Sequence, residues 1–294
     1  MKKNQFATII LMLFGCTIWA QPYIDFASIS GQQLNTHYSG SEELNTTTNY
    51  FASLLIPFKI NTKSTIIARL NYEQLSTFNG KQPQAPINLY TYSATIGYQH
   101  YFSEQFSALV LLTPKASTDF KDAFNDKYDL QYGGSMLLQY KISKTLRVKA
   151  GLYYNKEPFG NFFVPLFGVD WQISNRWMLY GTFPFFNRLE YKINDRLYTG
   201  IGARFFGRSY RLNSYWNRDY VWNQENQLKY FLDFYMTKKL VSFIEIGRSI
   251  GFGPKQIVSD QSRDNVVLNN PLYRPLEQGF FIHAGVAFRL RTGL

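Results

Sequence analysis

The sequence holds three histidines, His37, His100 and His283, and a single cysteine, Cys16, so imidazole and thiol chemistry have few places to occur. His283 lies on the polar side of an alternating stretch. It is either an acid or base facing an interior or simply a polar position of that strand. No set of His, Cys, Asp and Glu falls at metal-ligand spacing. No Gly-x-Ser-x-Gly elbow or phosphate-binding loop is present, and no cofactor is expected. A membrane-embedded hydrolase would need a serine, a histidine and a polar orienting residue meeting on adjacent strands. The local signature of such a site is missing, and the chain is not expected to be an enzyme.

The chemistry that remains is electrostatic. Arg69, Glu73, Arg147, Lys149, Asp170, Arg204, Lys229, Asp233, Glu245 and His283 fall on the polar side of alternating stretches, as candidate lining of a polar interior. Cations outnumber anions on that side. Filled with water, such an interior favours small anionic solutes. Paired across strands, the same charges plug it, and both readings stay open. A second stretch, 209–226, mixes aromatic residues with Arg and Asn. Its Tyr215, Trp216, Tyr220 and Trp222 are candidate surface-loop contacts that stack on sugars, anchor a partner, or pack over a rim against lipopolysaccharide.

Only β-strands place such residues at alternate positions. In 130–142, Tyr132, Met136, Leu138 and Tyr140 oppose Gln131, Gly133, Ser135 and Gln139. In 145–156, Leu146, Val148, Ala150, Leu152 and Tyr154 oppose Arg147, Lys149, Gly151 and Asn155. Short polar turns at Asn61-Thr62-Lys63, Ser103-Glu104-Gln105, Ser143-Lys144, Ser174-Asn175, Asn194-Asp195-Arg196 and Thr237-Lys238-Lys239 alternate with longer connections. The longer ones are 32–47, 75–87, 116–128, 157–161, 209–226 and 250–277. This rhythm predicts an all-β, membrane-spanning, antiparallel up-and-down β-barrel of about fourteen strands, with short turns at the periplasmic end. Reading 176–193 as one bent strand and dropping Tyr23–Ser30 lowers the count to about twelve.

Aromatic residues make up 18% of the chain and charged residues 17%, below the usual quarter, as suits a lipid-facing sheet better than a soluble one. A soluble periplasmic or secreted β protein is the alternative that alternation alone leaves standing. Met1-Lys2-Lys3, the apolar run Ile9–Phe14 and Ala20-Gln21 form a secretory leader, so residues 1–20 are expected to be removed and 21–294 to form one barrel domain in the outer membrane. With Cys16 in the leader, the mature chain has no thiol or disulfide chemistry. The net charge of +11 comes without a dense basic run, so the expected partners are outer-membrane lipid and lipopolysaccharide rather than nucleic acid.

The strand Gly279–Leu290 resembles the C-terminal recognition signal of outer-membrane barrels: polar, any, Gly, any, any, aromatic, any, aromatic or apolar. His283, Gly285, Phe288 and Leu290 fill it. Leu290 stands where an aromatic is usual, and four residues follow it. The resemblance implies the barrel-assembly machinery as a partner. Gly151-Leu152-Tyr153-Tyr154, Phe159-Gly160, Pro165-Leu166-Phe167-Gly168, Trp177, Pro184, Leu189-Glu190-Tyr191 and Gly200-Ile201-Gly202 resemble a family of uncharacterised outer-membrane β-barrels common in Bacteroidota. The Ala20-Gln21 junction is similar to cleavage sites in that group. The family implies a fold and a location, and no substrate or reaction.

Overall fold

The computed structural model describes residues 22–37, 40, 42, 44–79, 87–121, 123–124, 126–212, 220–249, 257–259 and 277–291. The expected leader and the loop candidates Tyr215 and Trp216 lie outside these residues. The strands are β1 (Tyr23–His37), β2 (Leu44–Lys59), β3 (Ser64–Asn79), β4 (Ile87–Tyr101), β5 (Phe106–Thr118), β6 (Leu130–Lys141), β7 (Leu146–Glu157) and β8 (Gly160–Gln172). They continue with β9 (Trp177–Phe183), β10 (Phe186–Lys192), β11 (Leu197–Arg211), β12 (Tyr220–Tyr235), β13 (Leu240–Ser249), β14 (Ile257–Ser259) and β15 (Phe280–Arg291). One helical turn, α1 (Asp126–Asp129), precedes β6.

Each strand from β1 to β13 pairs antiparallel with its sequence neighbour, β13 pairs with β15, and β15 pairs with β1, which closes the ring. The three-residue β14 adds only to the upper end of β12. The wall is therefore a closed antiparallel barrel of 14 strands. Closure satisfies the backbone groups that an open edge would expose.

The six short turns share one chemical device. Asn61, Ser103, Ser143, Ser174, Asn194 and Thr237 each turn a side-chain oxygen onto a backbone N–H two or three residues on, for example Asn61 Oδ1 to Lys63 N at 2.8 Å and Ser174 Oγ to Trp177 N at 3.1 Å. These are the Asx- and Ser/Thr-turn bonds that make such residues good chain reversers. All six lie at one end, together with the start of β1 and the end of β15.

The polarity of the barrel is inverted. Outward residues such as Ile96, Leu112 and Phe280 are 63%, 63% and 70% exposed, whereas inward Asp170, Asp233 and Glu245 are 0%, 1% and 3% exposed. Water outside would leave an apolar band around the whole wall uncovered, at about 25 cal/mol per Å². The exterior is therefore matched to hydrocarbon, and the soluble alternative fails on this point. Glycines on the inner face allow strands to close up. A Cβ at Gly151 would stand 2.1 Å from the Met136 carbonyl oxygen of the next strand.

Several stretches that read as loops are strand. β1 and β2 extend through much of 32–47, β5 reaches Thr118, and only two residues join β7 to β8. Tyr220 and Trp222, expected in a surface loop, are instead paired across β12 with Arg211 and Ser209 of β11. Upper strand ends need no apolar outer face once they leave the hydrocarbon, so alternation fades there before the strand does. The stretch 176–193 is a tight hairpin, β9–β10, with Pro184 in its turn, and the higher strand count holds.

Candidate functional site

The lumen is built by the inward positions of the strands. Its turn-side half is an ionic lattice. Asp233 (β12) lies 3.0 Å from Arg188 (β10) and 2.6 Å from Arg289 (β15). Arg289 also grips Asp25 (β1) with two guanidinium nitrogens, at 2.5 and 3.0 Å. Arg188 reaches Glu245 (β13) at 2.5 Å, and Lys229 reaches the same carboxylate at 2.6 Å. His283 Nδ1 stands 2.8 Å from Glu245 Oε2. The guanidinium of Arg188 also lies 3.9 Å from the Phe231 ring centroid, and that of Arg289 3.7 Å from the ring of Tyr23. Removing one partner from such a cluster leaves a buried charge exposed to a low dielectric, so the members hold one another in place.

A second cluster lies two strands along the wall from Arg188, with Tyr180 between them, where Asp170 (β8) meets Lys149 Nζ at 2.6 Å and Arg147 at 3.5 Å (both β7). Register places Arg147 directly opposite Asp170.

Above the lattice is a cavity of about 410 Å³, lined in part by Phe51, Glu73, Phe186, Arg204, Lys229, Glu245 and His283. Arg204 stacks over Phe206 at 4.4 Å. Arg69 projects into the interior from β3 and is exposed there. Among the described residues neither Arg69 nor Arg204 has a carboxylate at ion-pair distance.

The far end is closed by β11 itself. Ser209, Tyr210, Arg211 and Leu212 are all buried, which no strand in the wall can achieve on both faces. This segment, beyond its pairing with β10 but still paired with 220–222 of β12, turns inward over the lumen. Arg211 forms a parallel bridge with Thr118 of β5, and Asp119 N donates to the Arg211 carbonyl at 3.2 Å. Tyr210 packs with Leu75, Leu89 and Leu212 and donates to Glu73 at 3.2 Å. Ser209 bonds Glu157, which also holds Lys115 at 3.0 Å. Arg208 pairs with Glu73.

All ten candidate lining residues point inward. Lys149 and Asp170 are brought together, as are Lys229, Asp233, Glu245 and His283 through Arg188. Glu73 joins the β11 closure, Arg204 lines the cavity, and Arg69 lies elsewhere on the inner face of β3. Of the closing-strand residues, Phe288 faces out at 44% exposure beside Leu290, and His283 and Gly285 face in. Sequence reading missed Asp25, Lys115, Glu157 and Arg208 as lining residues. Three of these lie in or beside stretches that read as loops, and strand parity carried two residues further would have found them. His100 faces outward beside a turn, 3.0 Å from Ser64 Oγ. Among the described residues no cluster of three His, Cys, Asp or Glu side chains is placed to hold a metal.

These features define a membrane-spanning β-barrel with a charged, partly filled lumen. The chain belongs to the family described as "Domain of unknown function (DUF6268)", which matches residues 20–262. No curated protein is matched by this sequence. Similar solved structures include an outer membrane channel from Pseudomonas putida F1, with 8% identity over 91% of this chain and 95% of that one and a TM-score of 0.48. A TodX monoaromatic hydrocarbon channel mutant shares 11% identity over 97% and 94%, with a TM-score of 0.45. The NanC porin shares 11% over 89% and 98%, with a TM-score of 0.39.

Proposed function

We propose that this barrel is a narrow pore of the bacterial outer membrane for small anionic solutes. It reaches that membrane by export through the leader at 1–20 and is inserted by the barrel-assembly machinery reading the closing strand. Its wall then contacts outer-membrane lipid, and its upper rim lipopolysaccharide. The observation that carries the reading is Arg204: a lumen cation lining the cavity, with no carboxylate at ion-pair distance among the described residues. Elsewhere in the lumen cations meet anions at short range, so Arg204 is the cation at the cavity that a diffusing anion meets.

Planar-bilayer recording of the pure protein under a KCl gradient tests it. The expected result is conductance steps with a reversal potential displaced toward that of chloride, and a smaller displacement in Arg204→Gln. Absence of steps at every voltage overturns the pore. The second reading, a non-conducting barrel, is favoured by the β11 segment across one end and the ionic lattice at the other, and it predicts that silent recording.

A further inference from the structure

The wall is not equally tall all round. β9 and β10 have 7 residues each, between β8 with 13 and β11 with 15. Seven residues rise about 23 Å along the strand, or about 18 Å once tilted, whereas the apolar band of such barrels is about 25 Å tall. The β9–β10 hairpin therefore ends inside the hydrocarbon.

Above it the ladder is broken. Pairing of β8 with β9 stops at Phe167, and among the described residues 160–166 has no strand partner on that side. Pairing of β10 with β11 stops at Ala203, with one further bond from Phe205 N to the Pro184 carbonyl at 3.2 Å. Pro165 lies in the unpartnered stretch of β8, where a missing N–H costs no ladder bond. The opening is roofed by Phe159 against Trp222, with ring centroids 5.2 Å apart. Its sill is Phe183 against Phe205 at 5.6 Å, with Phe185 against Tyr153 at 5.0 Å on the inner side. Two strand edges facing hydrocarbon would be costly, and such edges are tolerated where they line a hydrated or occupied cavity.

We infer that this gap is a lateral window through which amphipathic carboxylates pass between the membrane and the lumen, with the apolar body among the window aromatics and the carboxylate on Arg204. The inference rests on the anion-binding part of the pore reading and adds the route and the apolar body. Aromatic jambs suit an apolar chain, and a lumen guanidinium with no carboxylate at ion-pair distance among the described residues suits its anionic head.

The test uses the folded barrel in lipid nanodiscs with a diazirine-bearing dodecanoate, photolysed and mapped by mass spectrometry. Adducts are expected on the inward Phe162 and Phe206 as well as on the lipid-facing Phe163 and Phe167. The variant Arg204→Gln should lower the inward adducts roughly tenfold, the loss of a charge-assisted contact, and leave the lipid-facing ones as an internal control. An uncharged diazirine-bearing dodecanol should label only the lipid-facing pair. Inward labelling that is absent, or equal for the alcohol and the acid, or unchanged in Arg204→Gln, overturns the window. Inward labelling in a barrel that gives no conductance removes the pore reading and leaves the window standing.

Discussion

Thr118 and Arg211 are bridge partners although they end strands on opposite sides of the barrel, with β6 to β10 between them along the wall. A wall strand cannot make this contact without leaving the wall. The last residues of β11, still paired with 220–222 of β12, therefore act as an inward strap held on its other side by the contacts of Tyr210 and Glu157.

Tyr210→Ala is expected to release the strap. The side chain is fully buried and packs with Leu75, Leu89 and Leu212, and deleting a buried aromatic costs about 3–5 kcal/mol. Most of that loss falls on the strap, because Tyr210 lies beyond the pairing of β11 with β10. The expected readout is a rise in single-channel conductance in planar bilayers with heat-modifiable barrel intact on electrophoresis. Unchanged conductance with an intact barrel would show that the strap does not limit flow.

How far the sequence discloses this molecule follows from which interactions are local. The inward and outward faces of β6 and β7 are legible because alternation is a property of adjacent residues, and lipid demands it over the whole span. The turns are legible because Asn61 or Ser174 bonds its own neighbours. The partners of Asp233 are not legible: Arg188 is 45 residues away and Arg289 is 56, and which residues meet depends on strand register and barrel closure. The strap is hidden for a different reason. Ser209-Tyr210-Arg211-Leu212 has no lipid face, so it reads as a loop, and only the missing height of β9 and β10 shows why it is free to turn inward.

Asp233→Asn is expected to weaken the barrel more than its size suggests. Asp233 is buried and carries two guanidiniums, at 3.0 and 2.6 Å, and an amide of equal shape leaves both short of counter-charge. Breaking a buried pair costs about 3–5 kcal/mol, so the urea midpoint of the refolded barrel should fall clearly below that of the parent. A midpoint equal to the parent's would mean that Glu245 and Asp25 alone balance Arg188 and Arg289.

The closing strand separates two kinds of position five residues apart. Phe288 faces outward, opposite Ala27 of β1 and Leu240 of β13, near the end where all the short turns lie. His283 is also part of the recognition pattern but points inward, onto Glu245. Phe288→Asp puts a charge on the face that must enter hydrocarbon and removes the aromatic of the pattern, and it is expected to abolish the heat-modifiable form in outer-membrane fractions. His283→Gln keeps an inward polar group able to bond Glu245, and it is expected to assemble close to the parent level. If the pattern were read purely as sequence, both variants would fail alike. If neither failed, β15 would not be the strand on which assembly depends. Loss in Phe288→Asp alone ties insertion to the lipid face of the strand that closes on β1.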